Sequence, residues 1–292
     1  MNQKALRELS ITKISNNLWP KGWREETCLM GVLNVTPDSF SDGGLYLDPE
    51  LANRRASQLI SDGANIIDIG AQSTRPKSEE VGIQEELRRL KPAILAIRKS
   101  NPEVLISVDT FNSKVAEKAL DFGANWVNDI SGGRRDPNMF SLVAETNCPF
   151  IITHSRGNSY TMDKLTNYRD ITNDVCLELL RSSEEAIKAG VSSEQIIWDP
   201  GLGFAKNTIQ NLTIIRELES ICSNGFPVLL GPSRKRFIGK VLSESNYEKR
   251  IWGSAAIASR CVQANVALIR VHDVFPIKQT IRMAKEIFKP LK

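Results

Sequence analysis

Short, almost wholly apolar runs alternate along the chain with segments whose apolar residues recur every third or fourth position. The runs are Cys28–Asn34, Asn65–Gly70, Val104–Asp109, Trp126–Ile130, Pro149–His154, Ile196–Asp199, Pro227–Gly231 and Ala267–Asp273. Continuous rather than alternating hydrophobicity predicts parallel strands covered on both faces. Between them, Leu212, Ile215, Leu218 and Ile221 mark one buried helix face within Ala205–Ile221, and Leu87, Leu90, Ile94 and Ile97 mark another within Glu80–Ser100. Pro92 is expected to kink or split the second helix. Asp48 with Pro49, and Asp136 with Pro137, read as helix starts. Gly63, Gly123 and Gly190 read as helix stops, each shortly before a strand. The stretch Gly63–Asp68 nearly recurs at Gly123–Asn128, so helix stop and strand entry repeat with the same chemistry.

Eight strands with interposed helices in 292 residues predict a single (β/α)8 TIM barrel. An open doubly wound sheet is the alternative; no GxGxxG follows the first strand to support it. The barrel domain is expected over 28–292, with 1–27 as an N-terminal extension, a candidate cap for the barrel bottom. The balance of 38 Lys and Arg against 34 Asp and Glu leaves +4. With no basic stripe interleaved with aromatics, that predicts no nucleic-acid partner. The longest apolar runs are too short to cross a bilayer, and the first 23 residues lack the apolar core of a secretory signal. Five scattered cysteines without CxxC spacing fit a reducing cytoplasm.

In a barrel of this kind, chemistry sits at the C-terminal ends of the strands. Here they carry Asn34, Asp68, Asp109, Asn128 with Asp129, His154, Asp199, then Ser233–Lys235 after the seventh strand, and Arg270 with His272. Polar residues closing apolar strands cost desolvation unless paired or used. Some could simply cap helices, but nearly every strand carries one, which predicts a polar, ligand-binding mouth. Both histidines lie at this rim without the spacing of a metal pair. Three loops add to it: Asp38–Gly44, small and polar with one Phe; Ser73–Pro76, hydroxyls beside an Arg that suit phosphate oxygens; and Ser233–Arg236, three cations opening a helix. That last turn reads as an anion site, with an exposed basic turn as the alternative.

At these residues the chain resembles the dihydropteroate synthase family of folate biosynthesis. The likeness is carried by Gly31–Gly44, Asp68–Gly70 with Ser73–Pro76, Ser107–Thr110, Asn128–Gly133, His154–Gly157, Asp199–Phe204, Ser233–Lys235 and Arg270–Asp273, in order from about Leu29 to the last helix. The resemblance implies a transferase that condenses 6-hydroxymethyl-7,8-dihydropterin diphosphate with p-aminobenzoate, giving 7,8-dihydropteroate and pyrophosphate. It implies a pterin site of Asp109, Asn128, Asp199 and Lys235. It implies a diphosphate site of Asn34, Thr74, Arg75, Arg270 and His272, with Asn34 as ligand of a Mg2+ cofactor. It implies a p-aminobenzoate site of Phe40, Thr74, Pro76 and Ser233. Asp109, Lys235, Arg270, His272 and Arg75 are the expected catalytic set. Sulfonamides are expected inhibitors, and a cytoplasmic homodimer joined through late barrel helices is expected. A catalytically silent pterin-binding paralogue and a pterin-dependent corrinoid methyltransferase are the alternatives. The chain departs from the family pattern at Ala71-Gln72, where many members have Gly-Glu, at Ser155, where many have Met beneath the pterin, and at Arg236, where some have Ser.

Overall fold

The computed structural model describes residues 18–36, 48–72 and 80–288. The loop residues 38–44 and 73–76, and with them Phe40, Thr74, Arg75 and Pro76, lie outside the described residues. The strands are β1 (Cys28–Asn34), β2 (Ile66–Gly70), β3 (Leu105–Asp109), β4 (Trp126–Asp129), β5 (Phe150–Thr153), β6 (Ile196–Asp199), β7 (Leu229–Leu230) and β8 (Leu268–Val271). All pair in parallel in the order β6-β5-β4-β3-β2-β1-β8-β7. The ring closes where Trp198 of β6 bridges Val228 just before β7 and donates its backbone N–H to Pro227 O at 2.9 Å. This is the expected (β/α)8 barrel.

Around it run α1 (Pro49–Ser61), α2 (Ile83–Ser100), α3 (Ser113–Asp121), α4 (Met139–Thr146), α5 (Ile171–Lys188), α6 (Thr208–Arg216), α7 (Leu218–Cys222), α8 (Arg236–Leu242), α9 (Ile251–Gln263) and α10 (Val274–Phe288). Asp48 caps α1, accepting from Glu50 N at 2.8 Å ahead of Pro49. At the other expected start α4 begins at Met139, so Asp136 stands just ahead of it; its carboxylate accepts from Asn138 N at 3.0 Å and also from Ser113 N at 2.8 Å, tying the loop to the start of α3. α2 runs through Pro92 as one helix, so the proline does not split it. The stripe expected over Ala205–Ile221 breaks into α6 and α7 at Glu217.

The repeated fragment is one device used twice. Gly63 and Gly123 take φ of +107° and +111°, a left-handed conformation that glycine adopts freely. Asn65 Oδ1 then accepts from Leu29 N at 2.8 Å, and Asn125 Oδ1 from Ile106 N at 2.9 Å. Each asparagine stitches an incoming strand to the one before it.

Two apolar layers hold the fold. Outward residues such as Ile67, Ile106, Val127 and Ile269 pack under the helices. Inside the ring, Cys28 and Met30 of β1 with Ile66, Leu105, Trp126, Ile151, Ile197, Leu229 and Leu268 form a second cluster to which every strand contributes. Below it Trp126 donates its indole N–H to Leu18 O at 2.6 Å. Trp19 stacks on Trp23 at 4.3 Å and meets Trp126 edge-on, so the described part of the N-terminal segment plugs the lower end of the barrel.

Candidate active site

Side chains alternate along a strand, so a residue two positions beyond an inward residue also points inward. Counting two from the interior apolar layer reaches Asp68, Ser107, Asn128, Thr153, Asp199 and Arg270, all buried except the partly covered Arg270. Two further on lie Asp109 and His272. This parity sorts the polar strand ends. Asp129 and His154 have the other parity and turn away. The Asp129 carboxylate caps its own loop, accepting from Ser131 N at 2.7 Å and Gly133 N at 3.0 Å. His154 sits behind the wall.

At the centre, the Arg270 guanidinium donates through Nε to Asp68 Oδ2 at 2.6 Å and through Nη2 to Asp109 Oδ2 at 2.7 Å. Asn128 Nδ2 donates to the same Asp68 oxygen at 3.2 Å. Burial pushes the Asp109 carboxyl up to about 7, against the pull of Arg270, with the Asp68 charge adding to the rise. Burial alone would lower the Arg270 pKa, but the two carboxylates raise it above the usual arginine value. Three interior atoms of the mouth, Asp68 Oδ1, Ser107 Oγ and Thr153 Oγ1, are buried without a hydrogen-bond partner among the described residues. Unpaired buried polar atoms at one level of a cavity call for water or ligand.

Beside this cluster lies a second limb. The Asp199 carboxylate accepts from Gly201 N at 2.7 Å, and burial raises its pKa. Lys235, pushed by burial down to about 8 against the attraction of Asp199, rests its ammonium 4.4 Å from the Phe204 ring centre. Ser233 Oγ meets His272 Nδ1 at 3.0 Å and accepts from His272 N at 3.2 Å, so these two expected site residues are tied to each other. The three-cation turn divides: Arg234 pairs with Asp273 at 2.7 Å and Arg236 with Asp163 at 2.7 Å. Both arginines therefore already have carboxylates.

The register aligns Asn34, Gly70, Asp109 and Asn128 across four strands. A Cβ on Gly70 would stand 3.6 Å from Asp109 Oδ2 and 3.7 Å from Asn34 Oδ1, so the glycine keeps a gap open between those oxygens. No group of three or more His, Cys, Asp or Glu side chains that could hold a metal occurs among the described residues. Beside that gap the Asn34 amide oxygen is a hard oxygen donor of the kind Mg2+ takes alongside phosphate and water.

Sequence reasoning missed Glu86, Lys206 and Glu178. Glu86 is buried on α2, one turn before Leu90 on the core stripe, where a carboxylate is out of place; extending that stripe backwards would have found it. Lys206 and Glu178 pair with His154 from other elements, a contact no local pattern reveals. Two departures from the family pattern also find partners. Ser155 Oγ donates to Ile130 O at 2.7 Å and meets Arg134, and Gln72 Oε1 accepts from Val81 N at 2.9 Å.

An eight-stranded parallel barrel with a carboxylate, amide and guanidinium mouth has the make-up of a site for a polar ligand, and the family described as pterin binding enzyme matches residues 30–272. The dihydropteroate synthase of Synechocystis sp. is 43% identical over 267 residues, covering 91% of this chain and 92% of that protein. The crystal structure of a dihydropteroate synthase from Clostridium difficile in the presence of pteroic acid aligns with TM-score 0.85 and 39% identity over 91% of this chain and 98% of that one. That of the Yersinia pestis dihydropteroate synthase with a sulfonamide drug aligns with TM-score 0.85 and 34% identity over 90% and 94%. The chain belongs to the dihydropteroate synthases of the pterin-binding family: it is a transferase of folate biosynthesis that forms dihydropteroate.

Proposed function

We propose that the mouth performs this condensation with the pterin held by Asp109, Asn128, Asp199 and Lys235, and the diphosphate by Asn34, Thr74, Arg75, Arg270 and His272. The pterin edge presents an alternating pattern of donors and acceptors, which two carboxylates, an amide and an ammonium read by hydrogen bonds. The observation that carries the reading is the Arg270 bridge. Two of its five N–H groups meet Asp68 and Asp109, which fixes the cation at the mouth and leaves donors for a diphosphate oxygen. The bond between the pterin methylene and the diphosphate oxygen breaks ahead of amine attack, because the dihydropterin ring delocalises the cation left behind. Arg75, Arg270 and His272 stabilise the charge growing on the departing diphosphate, in a site where preorganised donors need no rearrangement. Asp109 faces the cation and stabilises it. Mg2+, held through Asn34, supplies further neutralisation of the diphosphate when bound. The arylamine of p-aminobenzoate is neutral near pH 7, so attack needs no strong base. Phe40, Thr74, Pro76 and Ser233 border p-aminobenzoate, and a sulfonamide competes there.

The described residues contain no helix long and apolar enough to cross a membrane. With five free thiols, this supports a cytoplasmic enzyme. Trp252 on α9, with Phe275, Met283 and Ile287 on α10, presents large exposed apolar side chains on two adjacent helices, which supports a homodimer through this face. The test of the reaction is pyrophosphate release from the pterin diphosphate, p-aminobenzoate and Mg2+. Release no faster than that of Lys235→Ala sinks the assignment. A mass in solution equal to one chain sinks the dimer.

A further inference from the structure

Behind the mouth, a buried lysine takes no part in the sites assigned above. The Lys206 ammonium lies 2.8 Å from His154 Nδ1, 3.1 Å from Gly201 O and 3.0 Å from Phe204 O. Across the ring, His154 Nε2 meets Glu178 Oε2 at 3.0 Å, and Glu178 is held in turn by Arg156. The partners assign the imidazole tautomer: a neutral ring that donates from Nε2 to the carboxylate and accepts at Nδ1 from the lysine. Burial, followed by the Lys206 charge, lowers the His154 pKa to about 4, in keeping with a neutral ring. Burial lowers the Lys206 pKa to about 7, against the attraction of Asp199 and Glu178, and its amine faces three acceptors.

Two of those acceptors are carbonyls of the loop 199–204, which is unusually confined. Gly201 takes φ +68°, and a Cβ there would stand 2.0 Å from His154 O. Gly203 takes φ +79°, with its Cβ position 3.1 Å from Lys235 Cδ. Gly203 N also donates to Asn211 Oδ1 at 2.7 Å. On its mouth side the same loop carries Asp199 and the Phe204 ring on which Lys235 rests. A buried ammonium with no carboxylate in contact is costly. What it supplies is a second hold on one turn: Gly201 O, which also accepts from Phe204 N at 3.1 Å, and Phe204 O are drawn to the same amine.

We propose that Lys206 is a positioning residue for the pterin side of the mouth: by gripping Gly201 O and Phe204 O it fixes the loop that sets Asp199 and Lys235 against the pterin. The proposal rests on the assignment of Asp199 and Lys235 to the pterin. Lys206 does not touch substrate, and its influence stops at this limb, because Arg270, Asn34 and His272 belong to β8, β1 and the turn after β8.

Calorimetric titration of the full chain with two probes tests it: 6-hydroxymethylpterin, which has no phosphate, and inorganic pyrophosphate with Mg2+. Lys206→Met weakens the pterin about tenfold or more, the effect of losing a charged hydrogen-bonding group, and leaves pyrophosphate within about twofold. Unchanged pterin affinity in the folded variant, or an equal loss for both probes, overturns the proposal. If Lys206→Met does not fold, His154→Leu removes one acceptor and keeps the ammonium; it weakens the pterin about threefold with pyrophosphate unaffected, and no change overturns the proposal. Lys235→Ala, measured alongside, separates the two levels. If it fails to weaken the pterin, the pterin assignment itself fails; if it weakens the pterin and Lys206→Met does not, only the role of Lys206 fails.

Discussion

The two ends of the barrel are built by the same strands and differ by one pleat. At the lower level Ile66, Leu105, Trp126, Ile151, Ile197 and Leu268 fill the ring with hydrocarbon. Two residues on, about 7 Å along each strand, those positions become Asp68, Ser107, Asn128, Thr153, Asp199 and Arg270. The lower layer excludes water and is stabilised by burial. The upper layer holds carboxyl, amide and guanidinium groups, with three polar atoms that lack a partner among the described residues in a buried wall. The difference teaches that the apolar floor is what lets the mouth be costly: the layer beneath supplies stability while polar groups stand unmet above it. Substitutions at the two levels should therefore separate activity from stability.

The largest effect belongs to the centre of the mouth. Arg270→Ala should lower turnover about 10^3-fold, the scale for losing a preorganised donor to a departing anion. It also leaves Asp68 and Asp109 buried without their cation, at a cost of about 3–5 kcal/mol. Because Asp109 takes up a proton readily when its partner is gone, that cost should be smaller at pH 6 than at pH 8. Steady-state rates and urea unfolding at both pH values check this; a rate loss under about tenfold would remove Arg270 from the chemistry.

At the floor the pattern should invert. Trp126 is fully buried, so Trp126→Ala should cost about 3–5 kcal/mol in unfolding free energy. Both KM values should stay within about twofold of the parent at a temperature where the variant is folded. A shift in KM as large as the stability loss would show that floor and mouth are not separable. Asp109→Asn should then act as an isosteric mouth variant. It keeps the shape, removes the charge that faces the pterin cation, and lowers turnover about 10^2-fold with little change in melting temperature.

How much of this is legible in the sequence follows from the distance over which each signal acts. Strand ends come from local hydrophobicity and match the structure within about two residues, because buried parallel strands leave continuous apolar runs. Asn34, Asp109, Asn128, Asp199, Arg270 and His272 stand at or just beyond strand ends, and the alternation rule places all six on the interior parity. The same rule sets Asp129 and His154 aside. Several of the differences come from partners remote in sequence. Asp136 reads as a local helix start and does accept from Asn138 N, but its second donor, Ser113 N, is 23 residues away. Arg234 and Arg236 looked like free cations because Asp273 and Asp163 are 39 and 73 residues away.

The smallest effect sharpens the comparison from outside the barrel wall. Glu86 is buried on α2 beside Thr110, which follows Asp109, and burial pushes its carboxyl up to about 7 against the Thr110 hydrogen bond. The folded state thus binds a proton that the unfolded chain, with an ordinary glutamate value near 4.5, releases earlier. Between those two values the native state holds more protons, so this group's stabilising contribution is complete at low pH and is lost as pH rises toward and through about 7. Glu86→Gln keeps the shape and removes the titration. From pH 5 to pH 8 the wild type should lose about 2 kcal/mol more than the variant, read as urea midpoints at both ends of the range. Parallel pH profiles would mean that Glu86 is ionised in the fold, with a counter-charge compensating it. A divergence of the expected sign would place this part of the pH dependence at the polar end, since the interior apolar layer from Ile66 to Leu268 contributes no group that titrates over that range.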